Sequence, residues 1–329
     1  MIYKILGSTN LKVSVLGMGC SGLGKGLHHR NVAESVKTLC EAFESGINFF
    51  DTAPNYSNGE SEKLIAKALK NDRDKIIITS KTGINFTTLG KFVKKVKPLL
   101  NPVKQILTPM KKNLPNLYRS QRRNDFSKEY IIKSVEGSLK RLQTDYLDLL
   151  LLHHPTNQIL ETGEFYEPLE LLKSHGKIRF YGISCDSIEH AEISLTLEGV
   201  SAIQIELNIL DREAINNVLP SAFIKNIGVI ARLPLAKGLL TNQVSTTKAE
   251  RWAYDWKTFE QRKRRAEKFK FLINENRTMT QSALQFVLQH KEVAVTLAGF
   301  NNRKHLKENL SSLSVPSLAH DELDKIYSI

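Results

Sequence analysis

Short apolar runs rich in β-branched residues alternate along the chain with stretches whose apolar positions return every three or four residues. The runs are Val13–Met18, Ile47–Asp51, Ile76–Ser80, Leu147–His153, Phe180–Ser184, Ala202–Leu207, Gly228–Arg232 and Val293–Leu297. Most are apolar almost throughout, as expected of parallel strands covered on both faces. The helical spacing predicts helices over Val32–Glu44, Ser61–Leu69, Lys128–Leu142, Glu167–His175, Ser187–Leu197, Arg212–Lys225, Thr280–His290 and Arg303–Ser311. Ser127 is placed to cap one of them, and Asn71-Asp72 to stop another.

Eight strands, each followed by a helix, predict an α/β fold of the closed (β/α)8, or TIM barrel, type. The competing architecture is an open doubly wound sheet. It is favoured by Gly17-Met18-Gly19-Cys20-Ser21-Gly22, which matches GxGxxG just after the first strand. A dinucleotide fingerprint needs its glycines to open the helix directly. Here the loop runs on through Gly24 and Gly26, and helical spacing begins only near Asn31. The stretch Tyr3–Val13, with Gly7-Ser8 in its middle, reads as an N-terminal β-hairpin at the barrel bottom. Residues 1–329 are read as one barrel domain, with 84–126 inserted after the third strand.

Composition changes this picture in two places. The net charge of +13 is concentrated: 84–126 holds seven Lys and three Arg against Asp125 alone. A 43-residue connection at the active face of a barrel is unusually long. A lid over the pocket, a patch for polyanionic substrates, a membrane-surface or partner contact and a solvated loop all stay open for it, the lid foremost. Its aromatics are too sparse for a nucleic-acid channel. The three cysteines, Cys20, Cys40 and Cys185, form no CxxC pair, and the first residues lack a signal-peptide pattern. Together they point to the cytoplasm.

Chemistry on such a barrel gathers at the carboxyl ends of the strands. Those positions carry Asp51, Tyr56, Lys81, His153, His154, Ser184, Gln204 and Arg232. A lysine cation beside a tyrosine favours phenolate, an aspartate holds the lysine charged, and a neutral histidine donates to a carbonyl oxygen. Taken singly, each has a plainer reading. Asp51 would cap a loop, Tyr56 would be a surface aromatic, Lys81 a solvated charge, and His153-His154 half of a metal site. No ligand spacing supports a metal, and the four residues in this order point to catalysis.

GINFFDTAPNYSNGESEKLIAKAL, IIITSKTG, DYLDLLLLHHP, YGISC, QIELN, GVIARLPLAKGLL and LAGFNNRKHLKENL together resemble the aldo-keto reductase family over nearly the whole chain outside 84–126. The resemblance implies reduction of an aldehyde or ketone by NADPH, with NADH possible, on a small-molecule carbonyl substrate. It implies Asp51, Tyr56, Lys81 and His153 as the catalytic group, and Tyr56 as proton donor. For the cofactor it implies Ser184 and Gln204 at the nicotinamide amide and Arg232 in the place of a stacking aromatic. Leu235, Gly238 and Leu240 would lie over the pyrophosphate, and Gly299, Asn301, Arg303, Glu308 and Asn309 at the adenosine end. Cys185 stands where the family usually has Asn. His154 and Cys20 are expected at the substrate pocket. The alternative is a cofactor-binding regulatory protein on the same barrel with little turnover, like the β subunits of some potassium channels.

Overall fold

The computed structural model describes residues 1–24, 32–86, 122–242, 244, 256–300 and 302–329. The chain opens with β1 (Tyr3–Ile5) and β2 (Lys12–Ser14), then β3 (Leu16–Gly19), α1 (Val32–Glu44), β4 (Phe49–Asp51), α2 (Glu60–Leu69) and β5 (Ile77–Thr82). After β6 (Ile84–Phe86) and β7 (Arg122–Asn124) come α3 (Lys128–Leu142), β8 (Leu147–His153), α4 (Asn157–Thr162) and α5 (Tyr166–Ser174). The second half continues with β9 (Ile178–Ser184), α6 (Ile188–Ser194), β10 (Val200–Glu206), α7 (Ala214–Ile224) and β11 (Gly228–Arg232). It ends with α8 (Trp256–Glu267), α9 (Met279–Leu288), β12 (Val293–Gly299), α10 (Arg303–Ser311) and α11 (His320–Ser328).

Strands β3, β4, β5, β8, β9, β10, β11 and β12 pair in parallel and close into one barrel, the (β/α)8 architecture that the alternation predicts. β1 and β2 form the expected antiparallel hairpin, with Tyr3 opposite Ser14. The hairpin adds Leu6, Leu11 and Val13 to an apolar cluster with Phe49, Ile77, Leu149, Leu151, Ala202, Ile230 and Val295. Residues two apart on a strand share a face. Phe49 therefore shares its face with Asp51, Ile77 with Lys81, Leu151 with His153, Ala202 with Gln204 and Ile230 with Arg232. The cluster fills the barrel, and the polar residues follow above it on the same inward rows.

Gly17 and Gly19 lie within β3. A Cβ on Gly17 would stand 2.6 Å from Val295 and 3.0 Å from Phe49, so that glycine makes room for the barrel filling and cradles no phosphate. Ser127 caps α3 as its position predicts, accepting from the Tyr130 amide. The short helices α4 and α11 were not foreseen; α4 has only six residues and α11 follows a proline-bearing turn. The insertion leaves and rejoins the barrel through β6 and β7, which pair antiparallel. Residues 87–121 of the insertion lie outside the described residues, as does Asn301. No helix among the described residues is long and apolar enough to cross a membrane.

Candidate active site

Lys81 sits at the centre of the barrel mouth, 1 % exposed. Its Nζ donates to Asp51 Oδ1 at 2.6 Å and to the Thr52 carbonyl at 3.1 Å, and lies 5.1 Å from the centre of the Tyr56 ring. Burial alone would push this ammonium down, but the charges of Asp51 and Tyr56 outweigh it and hold Lys81 above the ordinary lysine value. The His153 ring stands edge-on to Tyr56, with centres 6.3 Å apart. Asp51, Tyr56, Lys81 and His153 are thus brought together, although 102 positions separate the first from the last in sequence.

The tyrosine departs from the expected electrostatics. Burial, the largest cause, raises the Tyr56 hydroxyl above the ordinary phenol value. Lys81 pulls it back only in part, with Asp51 opposing. Within this pocket the neutral phenol, a proton donor, is the favoured form. Tyr56 enters a turn in which Ser57, Asn58 and Gly59 all have positive φ, and the Ser57 hydroxyl anchors it to the Leu23 carbonyl at 2.7 Å. Non-glycine residues in that region store strain, which persists where the surroundings fix it.

Ser184 and Gln204 are buried and in register on neighbouring strands. The Ser184 hydroxyl donates to Gln204 Oε1 at 3.0 Å, and Gln204 Nε2 donates to Asp51 Oδ1 at 2.9 Å. The pair and the Lys81–Asp51 couple therefore form one connected network. Cys185 takes no part in it. Its thiol faces Ser194 on α6, and burial pushes it up to about 12.

Arg232 ends β11, donates to the Cys185 carbonyl at 3.0 Å and lies 3.6 Å from both Asp186 and Glu206. Its Nε is sheltered from solvent with no hydrogen-bond partner among the described residues. His154 lies beside His153, with ring centres 4.7 Å apart, and its Nδ1 is 2.7 Å from Asp186 Oδ1. Its own φ of 58° turns the chain out of the strand. Burial works to raise the Asp186 carboxyl, but His154, Arg232 and His190 together hold it below the ordinary carboxylate value. Sequence reasoning missed Asp186, which sits in a loop with no periodicity to mark it.

The other expected positions divide. Gly238 and Leu240 both donate their amides to the Leu235 carbonyl, at 2.7 and 3.2 Å, within a turn where Leu233, Ala236 and Lys237 have positive φ. The Leu240 side chain is core. A Cβ on Gly299, at the end of β12, would meet nothing within 4 Å among the described residues. Asn302 caps α10 through the His305 amide, Glu308 accepts from Asn242 at 2.9 Å, and buried Asn309 donates to the Gly299 carbonyl at 3.5 Å. Arg303 leans towards Glu34 at 3.5 Å and Glu41 at 3.7 Å on α1. Cys20 is fully buried, its thiol directed at the Met18 carbonyl by the turn after β3, and it lies near enough to Asp51 and Lys81 to feel their charges.

The aldo/keto reductase family profile matches residues 15–329. The chain belongs to the aldo/keto reductase family. This aldo/keto reductase is 30 % identical over 336 aligned positions to an uncharacterized oxidoreductase, YqkF, of Bacillus subtilis, covering 100 % of this chain and 96 % of that one. It is 28 % identical to an NADH-specific methylglyoxal reductase of Escherichia coli, covering 94 % and 93 % of the two chains. Its fold is similar to that of an aldo-keto reductase of Bacillus halodurans solved in the holo form. The TM-score is 0.79 at 28 % identity, over 100 % of this chain and 96 % of that one. It is accordingly an NAD(P)H-dependent oxidoreductase, of a family that acts on small carbonyl compounds. The residues present suit a nicotinamide nucleotide: a buried Ser–Gln pair able to bond an amide, and, among the described residues, an arginine whose sheltered Nε has no partner and an uncrowded glycine at the end of β12.

Proposed function

We propose that this reductase converts an aldehyde or ketone to an alcohol, with Tyr56 as proton donor and NADPH as the preferred nucleotide, NADH serving as the second choice. The observation that carries the reading is the buried Lys81 held between Asp51 and Tyr56. NADPH supplies the hydride when bound. Ser184 and Gln204 would hold its amide, Arg232 would offer a planar guanidinium for stacking, and Arg303, which sits beside Glu34 and Glu41, would turn with Lys304 to the 2′-phosphate. His153 donates to the carbonyl oxygen and fixes its direction. As the carbon gains hydride, that oxygen takes the Tyr56 proton. The phenolate left behind is stabilised by Lys81, whose own charge is secured by Asp51. His154, tied to Asp186, forms the substrate-side wall. A cytoplasmic setting accords with three free thiols.

The test is a tryptophan-fluorescence titration with NADPH and NADH, followed by absorbance at the nicotinamide band across aldehydes, α-ketoaldehydes and ketones. Tight NADPH binding with turnover of a panel member is the expected result. Tight binding without turnover would favour the regulatory alternative, and equal affinities would defeat the phosphate role of Arg303 and Lys304.

A further inference from the structure

Glu62 is a fully buried carboxylate that the proposed chemistry does not use. It lies in the first turn of α2, two residues beyond the helix start. One oxygen accepts from the Ser80 hydroxyl at 3.0 Å, and the other from Arg141 Nε of α3 at 2.5 Å. Ser80 is the chain neighbour of Lys81. Arg141 in turn lies across Gly59, where an added Cβ would stand 2.6 Å from its Cδ and 2.8 Å from its Nε. Gly59 closes the positive-φ turn that Tyr56 opens. Beside Glu62, Ser61 accepts from the Thr52 hydroxyl at 2.9 Å and donates to the Cys20 carbonyl at 3.0 Å. The Thr52 carbonyl is itself a Lys81 acceptor.

We infer that Glu62 and Arg141 are positioning residues that lock the Tyr56 turn to the Lys81 strand and so set the distance between proton donor and cation. This rests on the reading of Tyr56 and Lys81 given above. The turn has two non-glycine residues at positive φ and needs an external constraint to hold it. The constraint is an ion pair between buried Glu62 and partly exposed Arg141, which lies against the last residue of the turn and hydrogen-bonds the residue before Lys81. Breaking it releases both sides at once. The nicotinamide side, carried by β9, β10 and β11, is linked to the lock indirectly, through Asp51, which Gln204 and Lys81 share.

The test compares R141Q, R141K, S80A and Y56F with the wild type, using the aldehyde that the wild type reduces fastest. A small misplacement of reacting groups costs up to about a hundredfold. R141Q is therefore expected to lose about tenfold or more in kcat, with KM and NADPH Kd within about twofold. R141K keeps the charge and restores most of the loss, which a merely structural defect in nucleotide or substrate binding would not reproduce. Folded R141Q with normal NADPH affinity and wild-type kcat would overturn the inference. If R141Q does not fold, S80A carries the test: a severalfold fall in kcat at constant KM supports the lock, and unchanged kcat sinks it. Y56F separates the two levels. Full turnover in Y56F removes the Tyr56 reading itself, whereas an inactive Y56F beside a fully active R141Q removes only the lock.

Discussion

The barrel carries two buried aspartates, one towards each end and on opposite faces of its strands, and they are handled differently. Asp148, near the start of β8, accepts from the Ile78 amide at 2.9 Å, from Arg73 at 2.7 Å and from Arg179 at 2.9 Å. Both its oxygens are held by groups that do not titrate in the working range, since guanidinium stays charged. Asp51, at the end of β4, instead gathers Lys81 and Gln204 on one oxygen, and the lysine faces a phenol. One carboxylate is saturated by permanent cations and fixes the barrel floor. The other holds a titratable cation against a titratable acid, the arrangement a proton transfer requires. In barrels of this kind the bottom serves stability and the top serves chemistry; here the counter-ion chosen for each aspartate states the division.

The comparison breaks most visibly at Lys81. K81M should abolish measurable turnover, a loss of about 10³-fold or more. Because Asp51 is then buried without its cation, it should also lower stability by about 3–5 kcal/mol. Urea denaturation beside steady-state rates reads both. At the floor the two effects should part. D148N weakens hydrogen bonds to a charged group worth about 1.5–3 kcal/mol each. It should lower the urea midpoint clearly while leaving kcat of the folded protein within about twofold.

The pH profile sharpens the contrast. Tyr56 is raised above its unfolded value near 10. The neutral donor is thus fully present at neutral pH and is lost only as pH climbs past about 10 through the folded value. Carbonyl reduction should stay flat from pH 6 to about 10 and decline only above that. An alkaline limb near pH 7 would contradict the burial-dominated environment. The smallest effect concerns Cys185. Its thiol, pushed up to about 12 and fully buried, should resist a thiol reagent at pH 8 until denaturant is added. Prompt labelling of the native C20A/C40A protein would show the strand end to be open.

The barrel was legible because its strands are buried on both faces, so their apolar runs are continuous. Leu147–His153 and Gly228–Arg232 match the observed strands to the residue. The same two-residue period places Asp51, Lys81 and His153 on the inward row of their strands, so their meeting at the strand ends was legible from order alone. What was not legible depends on loops and on side chains meeting across elements. The burial of Cys20 is set by the turn after β3, and the His154–Asp186 pair joins two loops with no repeating pattern. Glu62 did leave a signal. It shares one helix face with Ile65, Ala66 and Leu69, all buried, and a carboxylate on an apolar stripe asks for a partner. Asp148, alone among the apolar letters of its strand, leaves the same mark.

The central claim is that Tyr56 delivers the proton in a pocket that Lys81 prepares. Its most direct test is single-turnover reduction by Y56F loaded with NADPH, compared with the wild type at equal nucleotide occupancy. The account predicts unchanged NADPH affinity and a rate lower by about 10²–10⁴-fold. A Y56F rate equal to wild type would contradict it.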